Sequence, residues 1–351
     1  MKKVNRVAIV FILTCAILLC SCAVRNPDDE RDIIDAKSKK SQAMVVSNDT
    51  NKGSDAADTA SKTKNIHIVT TIFPEYDWVR NILGDNPAGM DVKLLLDSGV
   101  DLHSYTPTVD DMVSIANADL FVYVGGESDE WVEDVKKQMK SDVKTLSLLQ
   151  SLDGLTVAEE IKEGMEAEEE EGPETDEHVW LSPENAYLIC DDLTDLIIEL
   201  DPEHTDLYRE NMEKYQAQIS EVDKEFMRIT ENSDTDILLF GDRFPFRYLC
   251  EDYGLDYYAA FAGCSAESEA SFETIEFLSK KIDEEDIKHV CVLEGPDHKI
   301  ADAIILNTNT KDQDIVKFNS IQSVTAQDVQ NGVTYISLMK DNVKALEEAL
   351  K

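Results

Sequence analysis

Nothing between Leu207 and Thr230 breaks a helix, and this stretch constrains everything around it. Tyr208, Met212, Tyr215, Ile219, Val222, Phe226 and Ile229 recur at spacings of four and three. That puts one apolar stripe on a helix about 36 Å long at 1.5 Å per residue. A helix of this length either packs within one domain or runs the height of two as a strut. The flanking segments favour the strut. Before it, Ile66–Thr71, Val92–Leu96 and Leu120–Val124 read as buried strands, with helices expected over Pro74–Leu83 and Pro107–Asn117. After it, Ile237–Phe240 and His289–Leu293 read as strands and Ser271–Ile282 as a helix. A last helix over Tyr335–Leu350 carries Tyr335, Met339, Val343, Leu346 and Leu350 on one face. Such βα alternation predicts parallel sheets covered on both sides. The periodic part of about 285 residues suits two domains, because single cores stop growing near ~250–300 residues.

The N-terminus reads as export machinery. Lys2, Lys3 and Arg6 precede an apolar run from Val7 to Cys20, too short for a confident span. The run closes on Leu19-Cys20-Ser21-Cys22, which resembles a bacterial lipobox. Residues 1–22 are then a lipoprotein signal peptide, and Cys22 carries the lipid that holds the chain at the outer face of a cell membrane. A plain secretory signal or an uncleaved anchor is the alternative, and both still place the protein outside the cytoplasm. Residues 23–64 are polar with no hydrophobic period, so a disordered tether is expected there. Glu159–Glu177 holds eleven Asp or Glu against the single Lys162, which reads as a self-repelling, solvated acidic loop. The net charge of −39 excludes nucleic-acid binding, since little here can neutralise phosphates. It suits a protein that draws in cations. Once the signal is gone, Cys190, Cys250, Cys264 and Cys291 remain besides Cys22, with no CxxC pair to build a zinc ribbon. Buried free thiols are expected.

Two of the six histidines stand where ligands bind. His103 lies in Asp101-Leu102-His103-Ser104-Tyr105-Thr106-Pro107, after a strand and before a helix. Ligands gather at that carboxyl edge of a parallel sheet. His178 lies in Asp176-Glu177-His178-Val179-Trp180-Leu181-Ser182-Pro183, leading from the acidic loop into a helix. Neutral imidazoles from separate loops suit Zn²⁺ or Mn²⁺, with a nearby carboxylate fixing each tautomer. His67, His204 and His289 read as structural.

These two motifs, with Ala118-Asp119-Leu120-Phe121-Val122-Tyr123, Tyr253-Gly254-Leu255 and the segment from Thr334, resemble the zinc/manganese-binding substrate-binding family of ABC importers. The resemblance runs from Ile66 to Lys351. It implies an α/β fold of two parallel-sheet lobes with flanking helices, joined by one long rigid helix, with metal in the cleft. On that reading 65–204 form the N-terminal lobe, 205–232 the linking helix and 233–351 the C-terminal lobe. It also implies a non-enzymatic, monomeric carrier that delivers zinc (or manganese) to a membrane permease with a cytoplasmic ATPase. An adhesin role is known in the family as well. His103 and His178 match the first-lobe ligand pair.

The second-lobe pair departs from the family. The position ten residues before Tyr253 is Arg243, which has no lone pair to offer, and the family's Asp is matched by Asn319. A carboxylate from elsewhere is therefore expected: Asp242 first, then Glu267. Arg243, Asn319 and Glu294 are expected just outside the ligands, with Arg243 pairing a carboxylate. Two other readings stay open. One is a binder of an anionic or metal-chelate ligand anchored by Arg243 and Asn319. The other is a zinc hydrolase built on His103, His178 and Asp242, although no nucleophile elbow or HExxH helix is present.

Overall fold

The computed structural model describes residues 65–166, 174–263 and 269–351. The signal peptide, Cys22, the tether, Cys264, Glu267 and the tip of the acidic loop lie outside the described residues. No helix among the described residues is long and apolar enough to cross a membrane.

Two four-stranded parallel sheets carry the fold. The first is built from β1 (His67–Thr70), β2 (Asp91–Leu94), β3 (Leu120–Tyr123) and β4 (Lys144–Ser147), in the spatial order β2-β1-β3-β4. The second repeats that order with β5 (Ile237–Phe244), β6 (Asp256–Ala262), β7 (His289–Val292) and β8 (Asp314–Lys317), arranged β6-β5-β7-β8. In each sheet the chain order reverses beside the first strand, the switch point at whose carboxyl edge open α/β sheets bind ligands. Strands of the second sheet alternate in two directions, as a period of two requires. Leu238 and Phe240 join the main core, while Leu239 between them faces a smaller core with Ile282 and Ile304.

Helices cover the sheets. In the first lobe these are α1 (Phe73–Leu83), α2 (Val109–Ala116), α3 (Val132–Lys136), α4 (Leu148–Ser151) and α5 (Pro183–Leu200). The linker α6 spans Thr205–Asn232. The second lobe adds α7 (Arg247–Tyr253), α8 (Phe272–Glu285), α9 (Lys299–Asn307), α10 (Ala326–Gln330) and α11 (Tyr335–Ala349). All seven residues of the predicted α6 stripe are buried. Its 28 residues extend about 42 Å, packing on α1 and α5 of one lobe and on α11 of the other. The helix is the expected strut.

Asp77 ties these elements together. Tyr215 Oη of α6, Tyr335 N of α11 and Asn81 Nδ2 of α1 all donate to its Oδ2, at 2.9, 3.2 and 3.1 Å. The lobes also meet directly. Ala326 N donates to Asp97 O at 2.7 Å, Trp180 Nε1 to Ser320 O at 2.9 Å, and Tyr335 Oη to Trp180 O at 2.7 Å. Cys190, Cys250 and Cys291 are buried and free, as expected.

The acidic segment departs from expectation. Its stem pairs with itself, Ala158 opposite Thr175. Its first half then crosses to the second lobe, where Glu166 pairs in parallel with Phe261 on the edge strand β6. Lys162 Nζ lies 3.9 Å over the Tyr257 ring and ion-pairs with Asp256. The Glu166 carboxylate accepts from Ser271 N at 2.5 Å, at the start of α8. Residues 159–166 are thus docked rather than solvated. An open β6 edge offers unpaired backbone groups, and Lys162, with Arg247 beside Glu160, supplies cations that let an acidic strap settle there.

Candidate metal centre

Both histidines are presented by the same local device. Asp101 Oδ1 accepts from His103 N at 3.0 Å, and Asp176 Oδ1 accepts from His178 N at 2.8 Å. In each Asp-x-His turn the carboxylate holds the backbone two residues on, which favours a tight turn over a helix or strand. One turn leads into the short 3₁₀ segment Leu102–Ser104 and the other into Val179–Leu181. After the second, Ser182 caps α5 by accepting from Asn185 N.

The turns aim two ring nitrogens at one point. His103 Nε2 and His178 Nε2 are 3.1 Å apart. His178 is fully buried, and its Nδ1 faces Asp176 Oδ1 at 3.0 Å. His103 Nδ1 faces Ser128 Oγ at 2.7 Å and lies 3.8 Å from Glu177 Oε2. Ser128 N donates to the other Glu177 oxygen at 2.9 Å. Each Nδ1 is therefore committed to a partner, and each Nε2 is left for the shared point. A tetrahedral Zn²⁺ with Zn–N of about 2.0–2.1 Å sets two such nitrogens about 3.3 Å apart. The observed gap is only slightly shorter.

Electrostatics treat the two imidazoles differently. Burial works against a charged His178, but the Asp176 carboxylate outweighs it and raises the His178 pKa. Burial and then the neighbouring His178 push His103 down to about 3. His103 is thus neutral. Burial raises the Glu177 pKa, and among the described residues its Oε2 has no hydrogen-bond partner.

The second lobe supplies a wall. A Cβ on Gly263 would stand 3.0 Å from His178 Cε1 and 2.9 Å from Phe244 O, so only glycine lets β6 approach this closely. Gly126 plays the same part beneath Glu177: its φ is +85°, and a Cβ there would meet Glu177 Oε1 at 2.4 Å.

The other expected residues fall elsewhere. Asp242 accepts from Leu293 N at 3.1 Å with one oxygen and from Arg243 N at 2.8 Å with the other. Adjacent to the family's ligand position, it braces the end of β5 against the end of β7. Glu294 accepts from Ser320 N and Oγ, at 2.8 and 2.7 Å. Asn319 turns back to accept from Ile321 N at 2.8 Å. Among the described residues, no third His, Cys, Asp or Glu joins the two histidines in a metal cage. Arg243 does hold a carboxylate, but it is Asp101 across the cleft, at 2.8 Å, not a second-lobe acid. Sequence reasoning missed Ser128 and Gly263. The Gly125-Gly126 pair just past β3 marks the strand's carboxyl end and was the available signal for Ser128.

With this geometry in place, residues 68–349 match the family described as zinc-uptake complex component A, periplasmic. The chain belongs to that family. The high-affinity zinc uptake system protein ZnuA of Bacillus subtilis is 30% identical over 299 residues, covering 83% of this chain and 89% of that protein. The zinc-binding lipoprotein AdcA of Streptococcus pneumoniae is 28% identical over 286 residues, 81% of this chain and 55% of that protein. Among solved structures, the metal-dependent lipoprotein YcdH of B. subtilis aligns with a TM-score of 0.66 at 27% identity, covering 82% of this chain and 99% of that one. The Zn(II)-bound ZnuA-like domain of S. pneumoniae AdcA aligns at 0.65 and 25% identity, with the same coverage. This zinc-uptake component shares their two-lobed fold, while its second-lobe position at Arg243 carries a cation.

Proposed function

We propose that this protein binds one Zn²⁺ between His103 and His178 and delivers it to an ABC permease driven by a cytoplasmic ATPase. The chain acts as a carrier, without catalysis, held by lipid on Cys22 at the outer face of the membrane. One observation carries the reading: two imidazole Nε2 atoms 3.1 Å apart, each with its Nδ1 held by a partner. Neutral nitrogen donors in a buried pocket suit Zn²⁺ better than Mg²⁺, Ca²⁺ or Mn²⁺, which favour oxygen. The two imidazoles leave the remaining positions of a tetrahedral ion to water or an added ligand. Calorimetry with native mass spectrometry on metal-stripped protein tests the proposal. A single zinc bound by the parent, and by neither His103→Ala nor His178→Ala at comparable affinity, is expected. Equal binding by all three proteins would overturn it.

A further inference from the structure

The second lobe meets the histidine pair with a cation, and a bare zinc ion does not explain why. Arg243 lies on β5 beyond the register shift that separates it from Phe240. Its guanidinium crosses the cleft to Asp101, whose other oxygen caps the turn presenting His103. Both charged side chains keep some solvent access, at 26% and 18% exposure, whereas His178 is sealed. The Arg243–Asp101 pair therefore stays more open to solvent than the buried histidine behind it. Among the described residues the guanidinium makes no bond besides that to Asp101, although it has five N–H donors. The nearby second-lobe oxygens of Asp242, Glu294 and Asn319 are engaged in the bonds given above.

Two neutral imidazoles leave Zn²⁺ with its double charge beside the Arg243–Asp101 pair, and water in the open positions would not neutralise it. A carboxylate would. One of its oxygens can ligate the ion while the other accepts from the planar guanidinium fork, turning a repulsion into two attractions. Resting on the zinc reading above, we infer that the ligand captured here is a ternary complex of Zn²⁺ with a small carboxylate, bridged between the histidine pair and Arg243.

Acetate is the simplest probe, because it binds free zinc weakly and offers a single carboxylate. Zinc affinity of the metal-stripped full chain is measured by competition with a chromogenic chelator, in sodium acetate and in sodium chloride at matched pH and ionic strength. The parent is expected to bind about tenfold tighter or more in acetate. Arg243→Gln should show no acetate effect on its own zinc affinity, while Arg243→Lys should retain part of it. Independently of any variant, the ¹³C carboxyl signal of acetate should broaden with zinc-loaded parent and not with metal-free parent. Equal parent affinity in both salts with no acetate signal overturns the ternary complex and leaves zinc capture standing. So does an acetate effect of the same size in Arg243→Gln. Absence of zinc binding in either salt overturns zinc capture itself, and the ternary complex with it.

Discussion

Asp77 offers a direct test of how the two lobes are held on the linking helix. Its side chain is buried, and three donors from α1, α6 and α11 converge on Oδ2 alone. Burial raises its pKa from 3.8 to about 6, against the opposing pull of the Tyr215 and Tyr335 bonds. The proton then resides on Oδ1, which leaves Oδ2 to its three donors. A raised carboxylate pKa means that the folded state binds more protons than the unfolded one between the two values. Stability from this group is therefore complete below about pH 3.8 and is lost as pH rises through about 6. A shift of this size corresponds to about 3 kcal/mol. Asp77→Asn can place its amide oxygen where Oδ2 lies and its amino group where the proton sat. The variant should match the parent near pH 4 and exceed it by up to about 3 kcal/mol near pH 7. Urea unfolding of the metal-free protein across that range reads the difference between the two curves, in which the other buried carboxylates cancel. A variant that loses ground to the parent as pH rises would refute the reasoning. It would mean that the three donors stabilise an ionised Asp77 more than burial penalises it.

Four further expectations concern the site and its surroundings. His103→Ala and His178→Ala should each weaken zinc binding by orders of magnitude, and each should lose the gain in melting temperature that zinc gives the parent, about 4 kcal/mol of native-state stabilisation at a thousandfold excess over Kd. Asp176→Asn should keep the turn but lose the charge behind His178, weakening zinc affinity about 10- to 100-fold in chelator competition. Deleting residues 167–173 should leave that affinity unchanged, whereas Glu166→Ala should increase hydrogen exchange in the first turn of α8, because the carboxylate caps Ser271 N. Cys22→Ala should move the protein from the membrane fraction to the soluble one, as seen by fractionating cells that express it.

Most of the fold was legible because its signals are local and repeated. The α6 stripe is period-encoded, and the predicted strands lie within about two residues of β1, β2, β3 and β7. β5 continues past its predicted end, because Asp242 and Arg243 interrupt the apolar run although their backbones stay extended. The two histidines were legible from their motifs. Their partners were not. Ser128 reaches His103 across 25 residues, and Arg243 reaches Asp101 across 142, distances at which sequence spacing carries no geometric information. The docked strap was missed for a related reason. Its acidic composition masks Lys162, Met165 and Glu166, each of which matters only against a β6 edge that is distant in sequence.

The two Asp-x-His turns come from the same lobe. Each turn is closed by its own carboxylate, and both Nδ1 partners, Asp176 and Ser128, also belong to the first lobe. On the proposed reading the pair can therefore face zinc without the second lobe. Preorganisation of this kind lowers the ordering cost of binding. What the second lobe adds is enclosure and charge. Gly263 lets its backbone lie against His178, Ser320 O receives Trp180, and Arg243 reaches over the outer edge to Asp101. Removing those contacts would leave the ion on two imidazoles open to water. On the proposed carrier reading, ligands confined to one lobe with enclosure supplied by the other give a route to release: a partner that separated the lobes would weaken the site without unfolding either histidine turn.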